Sequence, residues 1–299
     1  MALKIFVTGA TGTIGSVTVD RLLENGIDVL GLARSEDSAA KLKAKHCQVL
    51  RGSLEDLAVL RKGASECDGV IHLAFVHDFA NFNKSVEIDR NASSAMMDSL
   101  KGTGKPFISI SGTLMLEEKN RSYVDEDRPF AHSPGFSLRA ENEKLVLSYA
   151  TEGVKSMSVR FPPTVHGVGD TVGFIPTLVA ASKKAGFAMY IDQGENCWPA
   201  VNLQDAADFL RLAILHGTAG KPYNCVGESG IPTKAIAEAI GKKYNLPVKS
   251  ITKEESFKYL GFLATILAAN NVTRAEKSKK ELGWTPSHST LLEDIASYY

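Results

Sequence analysis

The chain has 299 residues, 44% hydrophobic and 23% charged, with 34 basic and 34 acidic side chains that cancel. That balance argues against a nucleic-acid partner, and the length is enough to bury a large core without metal or disulfide staples. Cys47, Cys67, Cys197 and Cys225 are scattered, with no C-x-x-C pair and no histidine cluster at zinc spacing, so they read as reduced packing residues and no metal is expected. In chain order, residues 4–7 form an apolar strand that runs straight into Thr8-Gly9-Ala10-Thr11-Gly12-Thr13-Ile14-Gly15 and then the amphipathic run 17–23. Glycines so spaced between strand and helix make a phosphate cradle. The first permits a tight turn, the second lets backbone approach a pyrophosphate, and the third lets the helix pack on the strand, with partial positive charge at the helix N-terminus. The arrangement points to a dinucleotide; a plain strand-to-helix turn is the bland alternative.

Further short apolar runs at 29–33, 47–51, 69–74, 107–111 and 156–161 read as strands, and amphipathic stretches separate them. Such alternation predicts an α/β fold, a doubly wound parallel sheet with ligands beyond the carboxyl ends of its strands. Past about Pro162 the alternation lapses into loops and helices at 173–185, 204–215, 233–244 and 254–269. The expectation is a dinucleotide-binding domain over 1–161 and a smaller, mainly substrate-binding lobe over 162–299 packed on it. No signal pattern precedes Lys4, and the apolar run 260–269 is too short to span a bilayer, so no membrane association and a cytoplasmic location are expected.

Later landmarks follow the glycine turn in order: Arg51-Gly52-Ser53-Leu54-Glu55-Asp56, Val70-Ile71-His72-Leu73-Ala74, Arg160-Phe161-Pro162-Pro163-Thr164-Val165-His166-Gly167, Val201-Asn202-Leu203-Gln204-Asp205-Ala206-Ala207 and Leu282-Gly283-Trp284-Thr285-Pro286. Across nearly the whole chain these resemble an extended short-chain dehydrogenase/reductase of the NAD-dependent epimerase/dehydratase type. The resemblance implies a Rossmann-type sheet with a smaller C-terminal substrate lobe. It implies cofactor contacts from Gly9, Thr11, Gly12, Thr13, Ile14 and Gly15 at the phosphates, Ser53 and Leu54 at the adenine, Ala74 and Phe75 at ribose and pyrophosphate, and Pro162 and Val165 after the sixth strand. Ser53 departs from the family's usual aspartate.

Cofactor choice turns on the residue closing the second strand, where a carboxylate selects a free ribose hydroxyl and an arginine a 2′-phosphate. The sequence there is Leu32-Ala33-Arg34-Ser35, so NADP(H) is expected over NAD(H). Arg34 also reads as an ordinary solvated charge at a helix start.

The resemblance further implies a Ser or Thr and a Tyr-x-x-x-Lys pair on the helix after the fifth strand. Thr113 matches the Ser/Thr position and would bind a substrate carbonyl. Anchored on Glu143, the helix puts Arg139 at the lysine position and Gly135 at the tyrosine position; a one-residue slide gives Ala140 and Phe136. Neither register supplies a phenol. Arg139 reads as a fixed cation for the nicotinamide ribose or a substrate oxygen, or as a surface arginine among Glu141, Glu143 and Lys144. Tyr123, His132, His166 or water remain open as proton donors. His77-Asp78 reads as near the substrate or as a helix cap. Phe75, Phe79, Phe82, Phe136, Phe174 and Trp198 suggest an apolar pocket. The expectation is an atypical NADP(H)-dependent oxidoreductase for a small, fairly apolar carbonyl or alcohol, with a non-catalytic NADP(H)-binding regulator and a sugar-nucleotide epimerase or dehydratase as alternatives. A monomer or a homodimer is expected: the apolar stretch Ala92, Ala95, Met96 and Met97 suits the dimer seam that the resemblance implies, and packing inside the monomer explains it as well.

Overall fold

Side-chain alternation along short apolar strands decides which face each residue covers. The computed structural model describes residues 2–78, 81–116, 123–131 and 137–299. The first part alternates: β1 (Lys4–Thr8), α1 (Thr13–Glu24), β2 (Asp28–Ala33), α2 (Glu36–Ala44), β3 (Gln48–Arg51), α3 (Leu57–Ser65), β4 (Gly69–His72), α4 (Phe82–Asp98), β5 (Pro106–Gly112), α5 (Ser137–Ser148) and β6 (Lys155–Phe161). Ile5, Val7, Ile71 and Ile108 face one way, packing with Val19, Leu22, Phe209 and Leu210. Their neighbours Phe6, Val70 and Phe107 face the other, against Leu60, Met96 and Met97. A strand buried on both faces reads as an unbroken apolar run, which is why KIFV carries no polar alternation.

After Phe161 the chain forms β7 (Thr164–His166), α6 (Phe174–Ala185), β8 (Ala188–Ile191), β9 (Cys197–Asn202), α7 (Leu203–His216), β10 (Pro222–Asn224), β11 (Glu228–Pro232), α8 (Thr233–Tyr244), β12 (Val248–Ile251), α9 (Lys253–Leu260), α10 (Leu263–Ala268), α11 (Glu276–Leu282) and α12 (Leu291–Ser297). Strands thus continue where sequence alternation lapsed. The helix expected over 254–269 is two helices, broken at Gly261, whose φ is +52°.

The large sheet has the order β10-β6-β5-β4-β1-β2-β3, with every pairing parallel. Strand order reverses between β1 and β4, opening a crevice at their carboxyl ends. This is the Rossmann-type doubly wound α/β fold. β10 and α7 belong to this layer although they follow residue 162: β10 pairs with β6, and α7 packs on α1. Smaller sheets β11-β9-β7 and β12-β8 surround a second core containing Trp198, Ile236, Leu263, Ile266 and Ile295.

The L-G-W-T-P segment has a packing cause. Trp284 meets Phe209 edge-on at 4.9 Å and donates to the Asp205 carbonyl at 3.0 Å. The Asp205 carboxylate then accepts the amides of Ser287 and His288 at 3.0 and 3.1 Å, fixing the approach to α12. Ala92, Ala95, Met96 and Met97 are buried within the protomer, which fits their packing reading and removes them as a dimer seam; the turns of α4 open to solvent carry Lys84, Glu87, Arg90 and Asn91 instead. Among the described residues no helix is long and apolar enough to cross a membrane.

Candidate functional site at the strand carboxyl ends

The turn after β1 is built from glycine geometry. Gly9 has φ +67°, and a Cβ there would lie 2.7 Å from the Ala74 amide nitrogen, so only glycine lets this turn touch the backbone after β4. Gly12 caps α1 in an extended conformation and donates to the Gly9 carbonyl at 3.0 Å. A Cβ at Gly15 would sit 2.0 Å from the Gly9 carbonyl oxygen, so the helix start and the turn are in backbone contact. Thr11, Thr13 and Ile14 are half-buried around an exposed Gly12. No acidic residue occupies the first turn of α1, leaving its N-terminal amides and partial positive charge for an anion.

Beyond β2, Arg34 is exposed and, among the described residues, has no hydrogen bond or ion pair. Ser35 caps α2, its Oγ accepting the Ser38 amide at 3.2 Å and donating to Ser38 Oγ at 3.0 Å. Thr11 Oγ1 reaches Ser38 Oγ at 3.5 Å, so the two turns adjoin. Arg51, closing β3, donates to the Ser35 carbonyl and pairs with Glu36 at 3.3 Å. Arg51 and Ser38 were not singled out from sequence. Where the family's aspartate is missing, the Ser53 amide and hydroxyl donate to Asp56 at 2.6 and 2.9 Å and hold that carboxyl below its ordinary pKa. Leu54 is half-buried against the Phe6 core.

At the ends of β4 and β5, Ala74 donates its amide to Thr8 Oγ1 at 3.2 Å, and Phe75 lies beneath the Arg139 guanidinium, 4.1 Å from carbon to ring centre. Arg139 donates to the Ile110 carbonyl at 2.8 Å and pairs with Asp89 Oδ2 at 3.2 Å. It is no solvated surface arginine. Asp89 also accepts from Asn142 Nδ2 at 3.3 Å, and His72 Nε2 stands 3.2 Å from its Oδ1. Burial pushes the Asp89 pKa up, but the nearby His72 imidazole, the Arg139 charge and Asn142 outweigh it, leaving the carboxyl below its ordinary value. A cavity of about 10 Å³, close to the room one water needs, is lined by Asp89, Ser111, Arg139 and Asn142.

Thr113 does not line that cavity. It is fully buried, its Oγ1 donating to Asn271 Oδ1 at 2.8 Å while Asn271 Nδ2 donates back to the Thr113 carbonyl at 3.0 Å. The hydroxyl that does share the cavity with Arg139 belongs to Ser111, which is buried and has no partner among the described residues.

The proton-donor candidates separate in space. Tyr123 is exposed, with Arg274 over its ring. His166 is fully buried on β7, its Nδ1 2.6 Å from Asp294 Oδ2 on α12. His132, Gly135, Phe136 and Phe79 lie outside the described residues. His77 meets Phe75 edge-on at 5.4 Å; although open to solvent on one side, partial burial and then the Arg139 charge push its pKa below the ordinary histidine value. Asp78 caps the approach to α4, accepting the Asn81 amide at 3.2 Å. Of the aromatic set, Phe75 and Phe82 adjoin at 6.1 Å near Arg139, whereas Trp198 is fully buried against Phe174 and belongs to the second core. Pro162 is buried and Val165 half-buried.

Glu143, one turn beyond Arg139, locks α5 to the sheet. Arg160 Nη2 donates to its Oε1 at 2.6 Å and Arg160 Nε at 3.0 Å, with Ser158 Oγ donating to Oε2 at 3.1 Å.

The chain is similar to several known proteins. The profile of the NAD dependent epimerase/dehydratase family matches residues 5–226. An uncharacterized protein of Saccharomyces cerevisiae is 45% identical over 99% of each chain. A 4-hydroxy-2-methyl-3-oxo-4-farnesyl-3,4-dihydroquinoline-1-oxide ketoreductase of Stigmatella aurantiaca is 28% identical, over 74% of this chain and 67% of its own. Among solved structures, a dTDP-glucose 4,6-dehydratase of Streptomyces venezuelae with NAD bound has the same fold, with TM-score 0.79 at 18% identity over 98% of this chain and 95% of that one. With a profile match over most of its length and a full-length relative at this identity, the chain belongs to the NAD dependent epimerase/dehydratase family.

Proposed function

We propose that this protein is an NADP(H)-dependent oxidoreductase acting on a small, fairly apolar carbonyl or alcohol, with residues 1–161 binding the cofactor and 162–299 mainly the substrate. The observation that carries the reading is the row along the strand ends: a free Arg34 beyond β2, the glycine turn after β1, and Arg139 fixed over Phe75 at β5. The close backbone packing that only glycine permits at Gly9 and Gly15 supports a tight turn suited to a pyrophosphate. Amides at the start of α1 would hold the pyrophosphate, and Arg34, Ser35 and Ser38 a 2′-phosphate. Arg51 adds positive charge beside them, reduced by its pair with Glu36. When bound, the cofactor supplies a hydride acceptor or donor.

Arg139 has two N–H groups committed to Asp89 and Ile110, leaving further donors on the same fork for a ribose or substrate oxygen. It stabilises negative charge but cannot deliver a proton at usable pH. Ser111 takes the hydroxyl role first assigned to Thr113, because Asn271 occupies the threonine. Phe75 and Phe82 favour an apolar substrate over a sugar nucleotide. A non-catalytic NADP(H)-binding regulator is the second reading, favoured by the structural ties of Arg139 to Asp89, Ile110 and Phe75.

Calorimetry on Arg34→Ala tests the cofactor assignment. NADPH affinity should fall about 10- to 100-fold while NADH affinity changes less than about 2-fold, the worth of a charge-assisted contact to phosphate. Equal weakening of both cofactors overturns the 2′-phosphate site.

A further inference from the structure

Thr8 closes β1 immediately before Gly9, and its Oγ1 accepts the Ala74 amide at 3.2 Å. Its own hydrogen is then free for His72 Nδ1, 2.6 Å away. With Nδ1 accepting that hydrogen, the imidazole proton sits on Nε2, which stands 3.2 Å from Asp89 Oδ1 but outside hydrogen-bond geometry. Asp89 Oδ2 in turn receives Arg139 Nη1 at 3.2 Å. A row of close polar contacts therefore runs from the glycine turn to the cation at the end of β5, its His72–Asp89 step being a 3.2 Å approach, and His72 is 1% exposed.

Asp89 stands on the buried stripe of α4 with Val86, Ala92, Ser93 and Met96, where an apolar side chain would pack without desolvation cost. A carboxylate is kept in such a place only when charge and hydrogen bonds compensate it. Arg139, His72 and Asn142 do so, and they hold the carboxylate at a fixed angle to a planar fork that a lysine would not present. We propose that Asp89, oriented by His72, is the positioning residue that fixes Arg139 against the Ile110 carbonyl and over Phe75, linking the cation's placement to the dinucleotide turn. The role rests on the NADP(H) reading above. A simple bolt between α4 and α5 is the competing explanation, and it predicts a stability effect with no effect routed through Arg139.

A double-mutant cycle on NADPH affinity separates the two. Dissociation constants would be measured by calorimetry for the unaltered protein, Asp89→Asn, Arg139→Gln and the double variant, with urea midpoints of the cofactor-free proteins alongside. Each single substitution should weaken binding about 10-fold, and the double no more than about 10-fold, because Asp89 acts through Arg139. Additive losses of about 100-fold in the double variant, or unaltered affinity in Asp89→Asn, overturn the positioning role. Should Asp89→Asn not fold, His72→Leu tests the same chain. It should weaken NADPH binding about 3- to 10-fold, while His72→Gln, whose amide retains a donor toward Asp89, stays within about 2-fold of the unaltered protein. Equal affinities in His72→Leu and His72→Gln overturn the proposal. If the unaltered protein binds NADPH and Asp89→Asn binds it equally, only the positioning role fails; if the unaltered protein binds neither NADPH nor NADH, the cofactor reading fails first.

Discussion

Replacing Glu143 by glutamine tests whether α5 is held to the sheet by a buried ion pair. Glu143 and Arg160 are each 3% exposed, and the guanidinium makes bonds of 2.6 and 3.0 Å to Oε1 and 3.2 Å to Oε2. Removing one charge leaves the other unpaired in a site water does not reach, which costs about 3–5 kcal/mol. Glutamine retains an acceptor oxygen, so the loss belongs near about 3 kcal/mol, the lower end of that range. Adding Arg160→Met removes the orphaned cation. What remains is mainly the Glu126 carbonyl, which loses its donor at 3.0 Å, and the expected net loss falls to about 1–2 kcal/mol. Equilibrium urea unfolding measures both variants, with Trp284 reporting the core beneath the large sheet and Trp198 the second core. Glu143 lies one turn beyond Arg139, so NADPH affinity should fall with stability in the single variant. A loss below about 1 kcal/mol in Glu143→Gln, or a double variant as unstable as the single, refutes the buried-pair argument.

Gly15→Ala puts a Cβ 2.0 Å from the Gly9 carbonyl oxygen and should cost about 2 kcal/mol or more and abolish NADPH binding; Gly26→Ala, with open space around its Cβ despite φ +71°, should cost about 1 kcal/mol and leave binding unchanged. Calorimetry and urea titration check both. Asp205→Ala strips an acceptor from Ser287, His288 and the His288 ring; a loss of about 2 kcal/mol and earlier proteolysis near residue 287 should follow. Burial pushes the Cys67 thiol up to about 11 and Cys225 well above its ordinary value, while Cys197 is half-exposed. A raised thiol pKa means less thiolate at pH 8, about half a unit below the ordinary value, so mass spectrometry after brief alkylation should find Cys197 labelled before either. Fast labelling of Cys225 contradicts its burial.

The first six strands were legible because each is an apolar run bounded by turn residues, and their observed limits differ from the expected ones by at most two residues. Strands such as Thr164–His166 and Pro222–Asn224 are too short to establish a period of two, so that half read as helices and loops. Gly261 sits inside an otherwise helical run, and its break at φ +52° is a tertiary choice the pattern does not encode. The glycine turn and Arg139 stood out in sequence because a motif places them. Thr113 did not betray its partner, since Asn271 lies 158 residues away. Asp89 left a signal that went unused: a carboxylate in register with Val86, Ala92, Ser93 and Met96 on a buried helix face implies a compensating cation elsewhere in the fold.

The measurement that tests the account most directly is a paired calorimetric titration of NADPH and NADH, with nicotinamide absorbance then followed against a panel of aldehydes, ketones and activated alkenes. NADPH should bind at least about 10-fold more tightly than NADH, the worth of a guanidinium on a 2′-phosphate, and be consumed with at least one panel member. Equal or tighter binding of NADH contradicts the Arg34 assignment, and tight NADPH binding without turnover on any member contradicts the oxidoreductase reading in favour of a regulator.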